Sequence, residues 1–164
     1  MREERTIQKE ILLSGKGIHS GKRVDMRLKP ATSGGIVFRR TDLDNLEFKV
    51  NPQKAEANYS TVLIQNGYRI RTVEHLLATL YVFGIDNLIV ELNGEEIPIM
   101  DGSAAPFVQA ILKAGIKLLP STKKAIRLTK PFIINENGSY IEFYPDNEFK
   151  ISYTIEFEHP FIQT

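Results

Sequence analysis

Residues 61–92 read TVLIQNGYRIRTVEHLLATLYVFGIDNLIVEL, and this stretch decides the fold. It opens with two short apolar runs on either side of Asn66-Gly67, a pair that tolerates the positive φ angles of a hairpin turn. A helical pattern follows from about Val73 to Phe83, and an apolar run at 88–92 then predicts a strand. A hairpin, a helix and a strand in one segment indicate an α+β fold.

The predicted helix has one apolar side. Its stripe has the spacing i, i+3, i+4, i+7 and consists of Val73, Leu76, Leu77 and Leu80. Such a stripe is typical of a helix that packs on a sheet. Thr72 is placed to cap its start, and Gly84 to end it.

Further strands surround this segment. Two more Asn-Gly pairs predict hairpins, one at Asn93-Gly94 joining 88–92 to 97–99, the other at Asn137-Gly138 joining 132–134 to 140–143. Additional strands are predicted at 7–13, 24–29, 35–40 and 149–157. The last of these alternates apolar and polar residues strictly, which is the period-2 pattern of a strand with one buried face.

A second helix is predicted after Asp101-Gly102-Ser103. Pro106 lies in its first turn and Gly115 ends it. Its expected buried side consists of Phe107, Val108, Ile111 and Leu112. Two apolar helix faces and many strands together predict a two-layer sandwich of a mostly antiparallel sheet with two helices.

The polar stretch Pro120-Ser-Thr-Lys-Lys124 predicts a break in the chain's organisation. We expect a complete N-terminal α+β domain over 1–120, a linker over 121–125, and the first strands of a second domain over 126–164. About 40 residues with a hairpin, one more strand and no helix rarely make a stable domain. The second part is therefore expected to be the start of a truncated domain.

Composition excludes several classes of protein. The chain has 164 residues, no cysteine, and 21 Lys+Arg against 20 Asp+Glu, a formal charge of +1. The absence of cysteine excludes a disulfide scaffold, a thiolate zinc site and a cysteine nucleophile. The balanced charge argues against nucleic-acid binding. The charged first ten residues and the absence of a long apolar run predict a cytoplasmic protein without stable membrane insertion.

The stretch Arg71-Thr-Val-Glu-His-Leu-Leu77 holds the first candidate site. On the predicted helix His75 lies opposite the apolar stripe, in a first turn whose dipole disfavours an imidazolium. A neutral imidazole is the form that binds a metal, and Glu74 is an acceptor suited to taking a proton from water. A solvated histidine and a glutamate favoured by the dipole remain the alternative, because a catalytic zinc needs three protein ligands.

Three other segments are candidates. Ser14-Gly-Lys-Gly-Ile-His-Ser-Gly21 places glycines around His19, which suggests a sharp turn or a close approach to a ligand, or else a strand connection with an exposed histidine. In Glu96-Ile-Pro-Ile-Met-Asp-Gly-Ser103, Asp101 or Ser103 is interpreted as an N-cap. In Glu158-His159-Pro160, His159 is interpreted as a strand-end residue without a metal role.

Five blocks taken together resemble a known family. They are SGKGIHSG at 14–21, GIVFRRTD at 35–42, TVEHLL at 72–77, GIDNL at 84–88 and EIPIMDGSA at 96–104. In this order they closely resemble the UDP-3-O-acyl-N-acetylglucosamine deacetylases, zinc enzymes of lipid A biosynthesis in Gram-negative bacteria. The likeness extends over essentially the whole chain, including FEHP at 157–160.

The resemblance implies a fold, an activity and two site residues. The fold would be two similar domains, each a sheet with two helices. The reaction would remove the N-acetyl group of a UDP-acyl-sugar and release acetate in a protein that is monomeric at full length. By position His75 corresponds to a zinc ligand, with iron as the alternative metal, and Glu74 to the general base that activates water.

The family's remaining zinc ligands, a His-x-x-x-Asp pair, and its general-acid histidine lie in the part that would follow Thr164. The chain is therefore expected to be an N-terminal fragment, inactive alone. Two alternatives stay open: a non-catalytic nucleotide-sugar-binding module of the same fold, and a small metallohydrolase that brings His19, His75 and His159 together.

Overall fold

A computed structural model describes residues 2–57, 59–157, 159 and 161. The chain divides into two compact units, Met1–Lys123 and Lys124–Thr164. No helix among the described residues is long and apolar enough to cross a membrane.

The described residues of the first unit form ten strands, two α-helices and a short 3-10 helix at Pro52–Lys54. The strands are β1 (Glu3–Ile7), β2 (Ile11–Lys16), β3 (Arg23–Pro30), β4 (Ile36–Arg40), β5 (Leu46–Lys49), β6 (Ala55–Ala57), β7 (Thr61–Gln65), β8 (Tyr68–Ile70), β9 (Leu88–Leu92) and β10 (Ile116–Thr122). The helices are α1 (Glu74–Phe83) and α2 (Ala105–Ala114).

Three sheets form this unit. The largest has the strand order β2-β3-β9-β4-β5, in which only the pair β4 and β9 is parallel. A three-stranded sheet has the order β6-β7-β8, and β1 pairs with β10. The sheets are thus mostly antiparallel, which confirms the predicted α+β class.

The core lies between the large sheet and the two helices. Along β3, Val24, Met26 and Leu28 are buried, while the intervening residues are exposed. These side chains share one apolar cluster with Leu80 of α1 and Ile111 of α2. Burial of alternate strand residues against helix stripes explains the two-layer arrangement.

Two of the three predicted hairpins are confirmed. The turn between β7 and β8 has Asn66 at φ 52° and Gly67 at φ 80°. In the second unit β11 (Phe132–Glu136) pairs with β12 (Ser139–Phe143), and Asn137 and Gly138 have φ of 50° and 83°. Both pairs of positive angles are those of the type I′ turn that Asn-Gly favours.

The predicted hairpin at Asn93-Gly94 is wrong. Strand β9 has β3 on one side and β4 on the other, so neither edge is left for residues 97–99. The chain instead leaves the large sheet, and Glu96 forms an isolated parallel bridge with Arg71. The side chain of Asn93 accepts a hydrogen bond from the backbone N–H of Asp25 at 2.9 Å, which fixes this exit.

Other strand predictions also need correction. The single strand predicted at 7–13 is two strands, because the polar residues 8–10 turn the chain from the β1–β10 pair into the large sheet. Strands β5, β6 and β10 were not predicted, and β10 includes the first two residues of the stretch interpreted as a linker. Residues 149–157 form no strand and are exposed, so the strand predicted there is wrong.

The helices begin and pack slightly differently from the prediction. Helix α1 begins at Glu74, and its N-cap position is Val73 rather than Thr72. In α2 Phe107 and Ile111 are buried as predicted, whereas Leu112 is 66% exposed and Ala114 takes the buried position. The apolar side of α2 is therefore rotated toward the i, i+4, i+7 positions that begin at Phe107.

Candidate functional site

The first turn of α1 carries Glu74 and His75. The carboxylate of Glu74 accepts a hydrogen bond from the backbone N–H of Thr61, at 2.9 Å from Oε2. In return the N–H of Val73 donates to the Thr61 carbonyl at 3.3 Å. The start of α1 is thus joined in both directions to the start of β7, which fixes the direction of the glutamate side chain.

His75 is half-buried beside Glu74. Its backbone carbonyl accepts a hydrogen bond from the hydroxyl of Thr79 at 2.8 Å. Its imidazole has no hydrogen-bond partner within residues 2–57, 59–157, 159 and 161. Both ring nitrogens are therefore available, and the ring fits the role of a single metal ligand.

Glu96 is a buried carboxylate next to this helix start, with no exposed surface. Its Oε1 accepts the Thr72 hydroxyl at 2.9 Å and the His19 N–H at 3.0 Å, and its Oε2 accepts the Ser20 N–H at 2.7 Å. Burial raises the pKa of Glu96, but hydrogen bonds from Ser20, His19 and Thr72 outweigh it and leave the pKa below its usual value. Glu96 is therefore ionised.

The glycine-rich segment 14–21 packs against the segment that contains Glu96. A Cβ on Gly17 would overlap the Glu96 carboxylate, and a Cβ on Gly15 would lie 3.0 Å from that of Pro98. The N–H of Ile99 donates to the Lys16 carbonyl at 2.9 Å. These glycines do permit a close approach, as their spacing suggested, but the approaching groups are Pro98 at Gly15 and Glu96 at Gly17. His19 itself is exposed.

Thr72 has a left-handed backbone with φ of 61°, and Met100 has φ of 58°. A β-branched residue rarely adopts this region, and such a conformation costs about 1–3 kcal/mol. Thr72 therefore cannot cap α1 as predicted, because its hydroxyl is directed to Glu96 instead. The surrounding hydrogen bonds hold a strained residue two positions before Glu74.

Asp101 and Ser103 form the turn that precedes α2. Asp101 Oδ1 accepts the N–H and the hydroxyl of Ser103 at 2.9 and 2.8 Å, and these bonds lower the pKa of Asp101. The Ser103 Oγ accepts the N–H of Ala105 at 3.1 Å. The N-cap position is Ala104, without a side-chain bond, so the prediction of Asp101 or Ser103 at that position is wrong. Both residues nevertheless act in turn formation.

The structure thus joins three sequence segments through Glu96: the glycine-rich segment, Thr72 at the start of α1, and residues 96–100. His159 belongs to the second unit, and its flanking residues Glu158 and Pro160 lie outside the described residues. Among the described residues, no group of three His, Cys, Asp or Glu side chains is placed to hold a metal ion. The alternative of a three-histidine site gains no support there.

Two residues of the candidate site, Thr61 and Glu96, were not predicted from the sequence. Thr61 acts through its backbone N–H, which no residue type reveals. Glu96 belonged to a recognised block but had no assigned role. The only available signal was the pair of glycines at 15 and 17, which indicated that some group approaches the backbone closely.

Comparison with known proteins gives a consistent result. A family model described as UDP-3-O-acyl N-acetylglycosamine deacetylase matches residues 4–164. The UDP-3-O-acyl-N-acetylglucosamine deacetylase of Saccharophagus degradans is 46% identical over 98% of this chain and 54% of its own length. That of Thermodesulfovibrio yellowstonii is 47% identical over 97% of this chain and 55% of its own. The chain spans about half the length of the curated relatives it matches.

Proposed function

The chain belongs to the UDP-3-O-acyl-N-acetylglucosamine deacetylase family, and we propose that it carries part of the active site for this deacetylation. The reaction is hydrolysis of the N-acetyl amide of a UDP-3-O-acyl-sugar. Water adds its oxygen to the acetyl carbon, the carbon–nitrogen bond breaks, and acetate and a free amine are released. The substrate class follows the names of the relatives.

The anchored carboxylate of Glu74 is the observation that supports this proposal. Thr61 binds Oε2 at 2.9 Å, while Oε1 has no hydrogen-bond partner among the described residues. A general base needs one oxygen in a fixed direction and free to accept a proton from water. We assign this role to Glu74, with the attacking water on the side of Oε1.

His75 is the proposed metal ligand. Its imidazole, adjacent to Glu74 and without another hydrogen-bond partner in the described part of the chain, has the donor chemistry that zinc and ferrous iron accept. A bound metal would supply Lewis acidity toward the acetyl carbonyl. A catalytic site of this kind uses three protein ligands, and His75 is the one we assign within this chain.

The proposal is tested by acetate release from a UDP-3-O-acyl-N-acetylglucosamine substrate, using the natural gene product that carries these residues. Glu74→Gln keeps the size of the side chain and the acceptor for Thr61 but removes the base, so kcat should fall by about 100-fold or more. Glu95→Gln, at a half-exposed carboxylate paired with Lys22 at 3.3 Å, is the matched control.

Metal content provides an independent measurement. His75→Ala should lower the metal bound per protein molecule, whereas His19→Ala, at an exposed histidine, should not. Wild-type kcat in the Glu74→Gln variant would contradict the assignment of the base. A wild-type protein that binds the nucleotide sugar without releasing acetate would favour the binding module. The cytoplasmic location and the monomeric state expected from the sequence stay predictions.

A further inference from the structure

We propose that Glu96 is a positioning residue that holds the loop 17–20 and the start of α1 in a single arrangement. This inference rests on the proposed function of Glu74 and His75, which α1 carries in its first turn. Glu96 is not a catalytic residue in this proposal, because it acts only through the backbone and side chains that it binds.

One oxygen atom of Glu96 links the start of α1 to the loop 17–20. Oε1 of Glu96 accepts both the Thr72 hydroxyl, at 2.9 Å, and the His19 N–H, at 3.0 Å. Oε2 accepts the Ser20 N–H at 2.7 Å. The three donors come from two segments that are more than 50 positions apart in the sequence. The carboxylate is therefore the shared acceptor that determines their separation.

A carboxylate is the side chain that suits this position. When ionised it only accepts hydrogen bonds, and here it is surrounded by donors. A buried carboxylate without such donors would be costly, so each of the three bonds matters more than it would at the surface. In a glutamine at this position the amide nitrogen would face a donor, and at least one of the three bonds would be lost.

The connection to α1 passes through Thr72. Its neighbour Arg71 is fixed by two backbone bonds, from its N–H to the Glu95 carbonyl at 2.9 Å and from the Ile97 N–H to its carbonyl at 3.1 Å. Thr72 then turns the chain into α1 with a strained φ of 61°. The hydroxyl bond to Glu96 stabilises this turn, which determines where Glu74 enters the helix.

The loop 17–20 also packs closely against Glu96. The N–H of Gly17 donates to the Lys22 carbonyl and the N–H of Gly21 to the Gly17 carbonyl, both at 3.0 Å, so the loop is closed on itself. Gly17 leaves no room for a Cβ beside the Glu96 carboxylate. The amides of His19 and Ser20 hold this closed loop to Glu96. A change in the Glu96 carboxylate should therefore displace the loop as a whole.

Amide hydrogen exchange on the 164-residue chain tests the loop connection without reference to catalysis. In Glu96→Gln the amides of His19 and Ser20 should exchange about 10-fold faster or more, because a charge-assisted bond to each is weakened. In the control Glu95→Gln they should exchange as in the wild type. Unchanged protection of both amides in folded Glu96→Gln would overturn the inference.

Deacetylase kinetics on the natural gene product test the connection to α1. Glu96→Gln and Thr72→Val should each lower kcat by about 10- to 100-fold with little change in KM, since a small displacement of a base has that effect. Thr72→Ser, which keeps the hydroxyl, should retain most of kcat. The double variant should lose about as much kcat as either single variant, because both act on α1 through the bond between Thr72 and Glu96.

A variant with a less stable fold but intact Glu96 bonds separates the effect of positioning on kcat from the effect of stability. Ile97→Val shortens a buried side chain beside Glu96 and should lower Tm without lowering kcat. If Glu96→Gln does not fold, Thr72→Val carries the kinetic test. Wild-type kcat in Thr72→Val would overturn the positioning role and leave the proposed function intact. Full activity of Glu74→Gln would instead overturn the proposed function and leave the exchange result standing.

Discussion

The backbone N–H of Thr61 donates to Oε2 of Glu74 across 2.9 Å. Thr61 is the first residue of β7, and its position at the strand end leaves this N–H free to serve a side chain. Glu74 is the first residue of α1, where the remaining helix N–H groups favour a carboxylate. A strand end and a helix start thus meet at the carboxylate that we assign as the general base.

Removal of this N–H should lower the reaction rate more than the stability. Thr61→Pro deletes the donor at the first residue of a strand, a position where proline is tolerated. We expect kcat of the natural gene product to fall by about 10-fold or more, because the carboxylate loses its fixed direction.

The matched control for this prediction is Thr61→Val, which keeps the backbone N–H and the branched shape of the side chain. It should retain kcat, as measured by acetate release under the same conditions. A loss of kcat in Thr61→Val equal to that in Thr61→Pro would assign the effect to the threonine side chain rather than to the N–H.

The fold could be predicted where one side of an element is buried, or where an Asn-Gly pair lies in the turn of a hairpin such as β11–β12. Strand β3 shows its alternation in the sequence because Val24, Met26 and Leu28 all face the core. Strand β10 buries only Leu119 and pairs with β1 mainly through its backbone, so its sequence contains no period-2 pattern. The false hairpin at Asn93-Gly94 has a different cause, since local turn chemistry cannot show that β9 already has two neighbours.

The residues of the candidate site also differ in how far the sequence alone reveals their roles. Glu74 and His75 could be proposed from the sequence because a carboxylate and an imidazole in one helix turn suit a general base and a metal ligand, and these roles stay proposals. Glu96 could not, because its role depends on donors that lie 24, 76 and 77 positions away in the sequence. Only the fold brings Thr72, Ser20 and His19 to one carboxylate.

Gly17→Ala should open the contact between the loop and Glu96. The added Cβ would overlap the carboxylate, which is itself held by three donors and cannot move freely. We expect a loss of about 1–3 kcal/mol in the free energy of unfolding, measured by urea denaturation. Ser14→Ala, at an exposed residue of β2, should change it by no more than about 0.5 kcal/mol. Equal stability of the two variants would show that the loop has room near Glu96.

A buried and an exposed leucine on the helices should respond differently to truncation to alanine. Leu80 is 1% exposed in the core, and Leu112 is 66% exposed on α2. Leu80→Ala should lower the free energy of unfolding of the first unit by about 2–5 kcal/mol, through lost burial and the cavity left behind. Leu112→Ala should lower it by no more than about 0.5 kcal/mol. Urea denaturation followed by circular dichroism measures both, and equal losses would contradict the described orientation of α2.

Asp86 should make the first unit less stable in acid. Its carboxylate accepts the Arg2 guanidinium at 2.6 and 3.0 Å and the Arg5 N–H at 2.9 Å, and lies 2.9 Å from the Lys123 ammonium. Burial raises the pKa of Asp86, but these donors and cations outweigh it and leave the pKa below its usual value. The folded state therefore releases this proton more readily than the unfolded state does.

The sign of the pH dependence follows from that difference. The stabilisation by Asp86 is fully present above the unfolded pKa of about 3.9 and is lost as the pH falls through the lower folded value. At neutral pH Asp86→Asn should reduce the free energy of unfolding by roughly 2 kcal/mol, because the charge-assisted bonds are lost. The difference between wild type and variant should shrink as the pH falls from about 3.9 through the lower folded pKa of Asp86. Because other carboxylates are the same in both proteins, their contribution cancels in this difference. Urea denaturation of both proteins across this range is the measurement, with Asp44→Asn as an exposed control at neutral pH. A difference that stays constant down to the lowest pH would mean that Asp86 stabilises the fold through its shape and neutral hydrogen bonds, and not through its charge.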